Sequence, residues 1–136
     1  MEFQSLAPNL MVENVAQAMG WYRDTLGFEV VATVPDEQAP VWAMLRAGAV
    51  TLMLESRGSI EEGFPQFRGQ APGVTGSLYM DVDDADALYA AVEGKARIVK
   101  EPHLTFYGAR EFYIEDPSGY MLGFASQQPD ATPDQQ

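Results

Sequence analysis

The sequence predicts an α+β fold of two tandem βαβββ modules, and three observations carry that reading. A strand–helix–strand–strand–strand order is written over about residues 5–56 and again over about 76–126. A stretch rich in Gly, Pro and Gln, about residues 57–75, stands between them as a linker or flap. Each helical segment opens on a capping residue and closes on a glycine. Identity between the halves is weak, so the repetition lies in the order of elements. One domain over 1–126 follows, with the polar run "QQPDATPDQQ", 127–136, expected to be a disordered tail.

Taken in order, "SLAPNLMV" (Ser5 to Val12) reads as a strand that Pro8 assigns to an edge. "ENVAQAMGWYRDTLG" reads as a helix: Asn14 caps it, Gln17 holds the capping-box position, and Val15, Met19, Tyr22 and Leu26 recur at helical spacing before Gly27. "FEVVATV" is β-rich, and "VWAMLRAGAVTLMLES" reads as a hairpin around Ala47-Gly48. After the linker, "GSLYMDV" is a strand. "DDADALYAAVEG" is a helix capped by Asp83 or Asp84 and stopped by Gly94, with Ala85, Leu88 and Val92 on one face. "ARIVK" is a strand, Glu101 to Tyr107 a loop, and "AREFYIEDPSGYMLGFA" a final hairpin turning at Asp116-Pro117-Ser118-Gly119.

A βαβββ unit carries a helix on one face of its sheet, so the other face must cover something. Two such units with bare faces together would leave a cleft, a usual home for small ligands. Charge narrows the partners. The chain has 8 Lys+Arg against 20 Asp+Glu, a net charge of −12. Such a surface repels phosphate backbones, which argues against nucleic acid. It attracts cationic ligands and equally serves ordinary solubility. There are no cysteines, hence no thiolate zinc site and no Cys nucleophile. The N-terminus has neither the basic start nor the apolar run of a signal peptide, and no stretch approaches a membrane span of roughly 18 apolar residues. A cytoplasmic protein with no membrane partner is the expectation.

The segments "NVAQAMGWYRDTLGF" and "GAREFYIEDPSGYMLGF", at this separation and within the doubled βαβββ order, resemble the glyoxalase/bleomycin resistance/dioxygenase superfamily, the vicinal oxygen chelate proteins. The closing hairpin looks most like the bleomycin-resistance branch. The resemblance covers about residues 5–126. It implies frequent homodimers, sometimes with an exchanged N-terminal strand. It also implies four metal-ligand positions in the metal-dependent members, which align here with Ala7, Glu55, Ser77 and Gly123. Only Glu55 keeps a strong donor, so no metal and no other cofactor is expected.

Strand alternation then names a cleft lining. Pairing Asp116 with Gly119 sets Phe112 opposite Gly123 and Ile114 opposite Met121. Pairing around Ala47-Gly48 sets Trp42 opposite Met53 with Glu55 on the same face. Ser77, Tyr79 and Asp81 share a face, as do Ala7, Asn9 and Met11. The expected ligand contacts are Trp42, Met53, Glu55, Tyr79, Phe112 and Met121, with Phe106 and Tyr107 as an aromatic lid. Each of these apolar side chains is as readily a core residue, and a bulge in either hairpin would break the assignments. Glu55 on an apolar face must be solvated, paired (Arg110 is one candidate) or functional. Arg110 and Glu111 have a bland reading as charges that each pair across the strands. Glu55 and His103 are the weak catalytic candidates, His103 otherwise being an exposed loop residue. Asp81 to Asp84 is better explained by helix capping than by metal.

The expected function is a metal-independent binding protein that sequesters a small aromatic or cationic molecule, resembling bleomycin resistance proteins. Two alternatives stand beside it: a glyoxalase- or dioxygenase-like enzyme (lyase, isomerase or ring-cleaving oxygenase), and a domain whose acidic surface meets a basic protein.

Overall fold

The computed structural model describes residues 1–73 and 75–128. The chain divides into two compact units, one ending at Pro72 and the next starting at Gly73. Each holds a four-stranded mixed sheet, as the α+β reading requires.

In the first module, β1 (Asn9–Val12), α1 (Val15–Leu26), β2 (Glu29–Val34), β3 (Trp42–Ala47) and β4 (Val50–Ser56) form a sheet in the order β1-β4-β3-β2. The α1 boundaries follow from its caps. The Asn14 side chain accepts from the Gln17 backbone N–H, and Gly27 stops the helix in the left-handed region at φ 75°. Val15, Ala18, Met19 and Tyr22 turn onto the sheet, where Ala43, Leu45, Leu52 and Leu54 are buried beneath them. The hairpin loop is Gly48–Ala49, with Ala47 opposite Val50. Trp42 therefore pairs with Glu55 and Met44 with Met53, a shift of two from the expected register that leaves Trp42, Met53 and Glu55 on one face. β1 is shorter than Ser5 to Val12 because its ladder with β4 begins at Asn9, just past Pro8.

The segment expected as a linker contains a helix, α2 (Arg57–Gly63), capped by Ser56, and a 3₁₀ turn over Pro65–Phe67. Arg57 ties it down by donating to Glu13 and to the Gln70 carbonyl.

In the second module, β5 (Ser77–Asp81), α3 (Ala85–Val92), β6 (Arg97–Leu104), β7 (Ala109–Glu115) and β8 (Met121–Gln127) form a sheet in the order β5-β8-β7-β6. Asp84 caps α3 by accepting from the Ala87 N–H, and Ala85 and Val92 are buried. β6 runs on through Pro102 and His103, so His103 is a half-buried strand residue and not the exposed loop residue expected. Proline is tolerated there because β6 is an edge strand, and two bulges, between Ile98 and Lys100 and between Lys100 and His103, absorb the irregularity.

The last hairpin corrects the expected register. Gly119 N–H bonds to the Asp116 carbonyl and Asp116 N–H bonds to the Tyr120 carbonyl, with Gly119 at φ 95°. This is a three-residue loop in which a left-handed glycine forms a bulge. The extra residue makes Glu115 pair with Met121, Tyr113 with Gly123 and Phe112 with Phe124. A slip of one residue turns every β7 side chain over. Phe112 is accordingly a core residue, 0% exposed, stacked on Phe124 and edge-on to Tyr89 of α3. It is not a ligand contact. Gln127, expected to begin a disordered tail, ends β8 opposite Ala109; residues 129–136 of that tail lie outside the described residues, as does residue 74.

Candidate functional site

The β7 register puts Glu111 and Tyr113 on the sheet face opposite α3. Glu111 is 3% exposed, and a carboxylate so placed must be hydrogen-bonded. Its Oε2 accepts from the Tyr79 hydroxyl on β5 and from the Tyr107 hydroxyl in the β6–β7 loop, both at 2.7 Å. Its Oε1 lies 3.5 Å from His103 Nε2, across the β6–β7 pair that sets His103 opposite Glu111. His103 Nδ1 is 2.9 Å from the Glu101 carbonyl, which can only accept, so Nδ1 is the donor in this contact. Nε2 is buried without a hydrogen-bond partner among the described residues.

Burial pushes the Tyr79 hydroxyl well above the usual phenol range, and the Glu111 bond and charge add to it. Tyr107 is raised for the same reasons in the same order. The rings of these two residues are nonetheless open: Tyr79 is 47% exposed and Tyr107 52%. Each places its hydroxyl against the buried carboxylate and its ring in solvent.

Around this cluster runs a groove of about 400 Å³, lined by Ser77, Lys100, Phe106, Tyr107, Tyr113 and Met121, with Val99 and Glu111 completing it. Phe106, 85% exposed, stands at its rim with its ring edge-on to Tyr107, 5.0 Å between centroids. The loop that carries them is built like the final hairpin. The Thr105 N–H donates to the Ala109 carbonyl, the Gly108 N–H donates to the Thr105 carbonyl, and Gly108 is left-handed at φ 80°. Thr105 Oγ1 also accepts from the Ala109 N–H, so the loop is braced.

Gly123 now has a physical explanation. A Cβ built on it would lie 2.5 Å from Tyr113 Cε2. The glycine gives the Tyr113 ring room to lie across its neighbour strand on the groove face.

Of the expected ligand contacts, Met121, Phe106 and Tyr107 line this groove, while Tyr79 and His103 stand against Glu111, which completes it. Phe112 does not. Trp42, Met53 and Glu55 belong to the first module, on the face of its sheet away from α1. There the Glu55 carboxylate accepts from Asn9 Nδ2 at 2.8 Å and Ser59 Oγ at 2.6 Å. Its partners are thus neutral side chains of its own module, while Arg110 donates to Asp86 on α3. The Arg110–Glu55 pairing is not seen among the contacts of the described residues. The sequence reading missed Glu111 as the centre of the site, together with Tyr113, Lys100 and Val99. The signal was present in "DPSG" followed by Tyr120: read as a bulged three-residue loop, it sends Glu111 and Tyr113 to the face of Met121 and Gly123.

Comparison with known proteins bears on what such a fold does. The family model of the Glyoxalase/Bleomycin resistance protein/Dioxygenase superfamily matches residues 4–124. The chain belongs to this superfamily. Among solved members and neighbours, a glyoxalase/bleomycin resistance protein/dioxygenase from Nocardioides has a TM-score of 0.76 at 17% identity, covering 100% of this chain and 91% of that one. TioX from Micromonospora sp. ML1 has a TM-score of 0.74 at 20% identity, covering 92% and 99%. A lactoylglutathione lyase from Agrobacterium tumefaciens has a TM-score of 0.68 at 19% identity, covering 90% and 92%. At such identities the likeness is one of fold. No curated protein matches the sequence.

Superfamily membership raises the question of whether these residues fit a metal. Of the aligned ligand positions, Ala7 and Gly123 carry no donor, Ser77 is a weak one, and Glu55 is engaged by Asn9 and Ser59. Among the described residues no group of three or more His, Cys, Asp and Glu is placed to hold a metal ion. These residues do not fit the centre of a metal-dependent glyoxalase-type enzyme. No helix among the described residues is long and apolar enough to cross a membrane.

Proposed function

We propose that this superfamily member is a binding protein for a small aromatic or cationic organic molecule, akin to the bleomycin resistance proteins its closing hairpin resembles, and that it works by binding alone. The observation that carries the reading is the pairing of exposed rings with a buried charge: Phe106, Tyr107 and Tyr79 open to solvent around Glu111. Exposed aromatic side chains gathered at one groove have no packing explanation. Stacking and cation–π contacts on such rings contribute on the order of 1–2 kcal/mol each when desolvated. The groove volume lies within the range of roughly 300–1,000 Å³ usual for small-molecule sites. We also expect a cytoplasmic homodimer, which sedimentation of the purified chain would check.

The test is a thermal-shift screen with planar aromatic amines and their neutral analogues, before and after exhaustive dialysis against a chelator. A ligand at about a hundred times its Kd stabilises the native state by about 2.7 kcal/mol, a readily measured rise in Tm. The reading predicts that rise, undiminished by chelation and reduced in Phe106→Ala. A stoichiometric metal that survives dialysis, with no compound shifting the transition, would instead favour a glyoxalase- or dioxygenase-like enzyme. One observation favours a metal-free enzyme as the second reading: among the described residues His103 Nε2 is buried without a hydrogen-bond partner, 3.5 Å from the Glu111 carboxylate, and His and Glu are the residue types that general acid–base chemistry uses. Turnover of a carbonyl substrate abolished by His103→Gln would support it.

A further inference from the structure

Resting on the groove reading above, we infer that the site selects its ligand by hydrogen-bond polarity, taking a planar aromatic cation that carries N–H donors, of the amidine type. Selection turns on where two hydrogens go. A phenol has one O–H and two lone pairs, and an ionised carboxylate has only lone pairs. The Tyr79 and Tyr107 hydroxyls both spend their single hydrogen on Glu111 Oε2, each at 2.7 Å. What remains on each phenol oxygen is acceptor capacity. The two oxygens converge on the same carboxylate oxygen, each 2.7 Å from it, so the site offers a pair of acceptors backed by a buried negative charge. Hydrogen bonds in such a chain polarise one another, and donation to a carboxylate makes each phenol oxygen a better acceptor.

A ligand oxygen at this site would meet lone pairs alone. An N–H would meet the acceptors it needs, and a delocalised cation would add attraction to Glu111 through a medium drier than water. The flat body of such a ligand suits the rings of Phe106 and Tyr107, whose faces favour a cation.

Lys100, which also lines the groove, opposes this choice. Its side chain is exposed on an edge strand, where its ammonium is solvated and screened. The Glu111 charge is fixed and 3% exposed, and a buried charge is screened far less. Glu111 therefore dominates the selection.

The test uses three probes that share one ring and differ only in the polar group: benzamidine, benzamide and benzoate, titrated into the full chain by calorimetry at neutral pH and low salt. Benzamidine should bind best, by at least about tenfold over benzoate. Glu111→Gln should erase that preference, since a Gln amide can donate to a phenol oxygen and carries no charge. Should Glu111→Gln prove unfolded by circular dichroism, Glu111→Met keeps the side-chain volume, removes the charge and frees both phenol hydrogens to donate, and the preference should be lost likewise. Phe106→Ala should weaken all three probes alike. Equal affinities, a preference for benzoate, or a benzamidine preference that survives these variants would overturn the inference and leave the groove reading standing. Failure of all three probes to bind, with Phe106→Ala silent, would overturn both.

Discussion

Phe112 and Phe106 sit six residues apart and answer to opposite forces. Phe112 is wholly enclosed by Phe124 and Tyr89, so truncation to Ala leaves a cavity. A loss of about 3–5 kcal/mol is expected in urea unfolding. Phe106 has little around it to lose, and Phe106→Ala should shift stability by no more than about 0.5 kcal/mol. A large cost at Phe106 would mark it as structural and remove the main support for the groove. Glu111 makes a different prediction. Its charge and hydrogen bond hold the Tyr79 and Tyr107 protons in place, second only to burial. Titration of tyrosinate absorbance should show these phenols ionising late in the native protein. In Glu111→Gln they should ionise at lower pH, though still above the usual phenol range, because burial remains.

At the scale of elements, one left-handed residue controls the site. Gly119, at φ 95°, lets the last hairpin close as a bulged three-residue loop and so selects which β7 side chains face the groove. A side chain there is strained by about 1–2 kcal/mol. Gly119→Ala should therefore lower stability by about that amount in urea unfolding, and Gly119→Asn by less, since Asn tolerates this region. The same loop shows what a sequence conveys about elements and what it withholds. Both long helices were legible because their caps are local: Asn14 with Gln17, and Asp84 with Ala87, lie three residues apart. The hairpins were legible as hairpins, but register was not. A turn with one residue more or fewer leaves the composition of the strands unchanged while exchanging their faces. In the first hairpin the error was an even number and cost nothing, so Trp42, Met53 and Glu55 stayed together. In the second it was odd, and Phe112 and Glu111 traded places. α2 was hidden for another reason: a seven-residue helix with two glycines has little intrinsic propensity and is held by Arg57 to Glu13 and Gln70.

For the whole chain, four tyrosines set the alkaline limit. Tyr79, Tyr107, Tyr113 and Tyr89 all have hydroxyls raised chiefly by burial. The folded state holds these protons more tightly than the unfolded chain, whose phenols ionise at about pH 10. The stability they contribute is intact below that pH and is lost progressively as pH rises through the folded values. Urea midpoints should be flat between about pH 8 and 9 and fall from about pH 10 upward, with a shallower fall in Tyr79→Phe. A midpoint indifferent to alkali would mean that the phenols are not buried as described.

The class of the molecule was legible in the chain alone: the doubled βαβββ order, the helix ends and the acidic balance. These depend on residue identity and short-range spacing, which a chain carries with it. Folding in three dimensions was needed to bury Glu111 against the Tyr79 and Tyr107 hydroxyls, to set His103 beside it in a bulged edge strand, and to make Gly123 the space that Tyr113 fills. Those depend on cross-strand register, where one residue in a turn decides which side of a sheet meets the core and which meets a ligand.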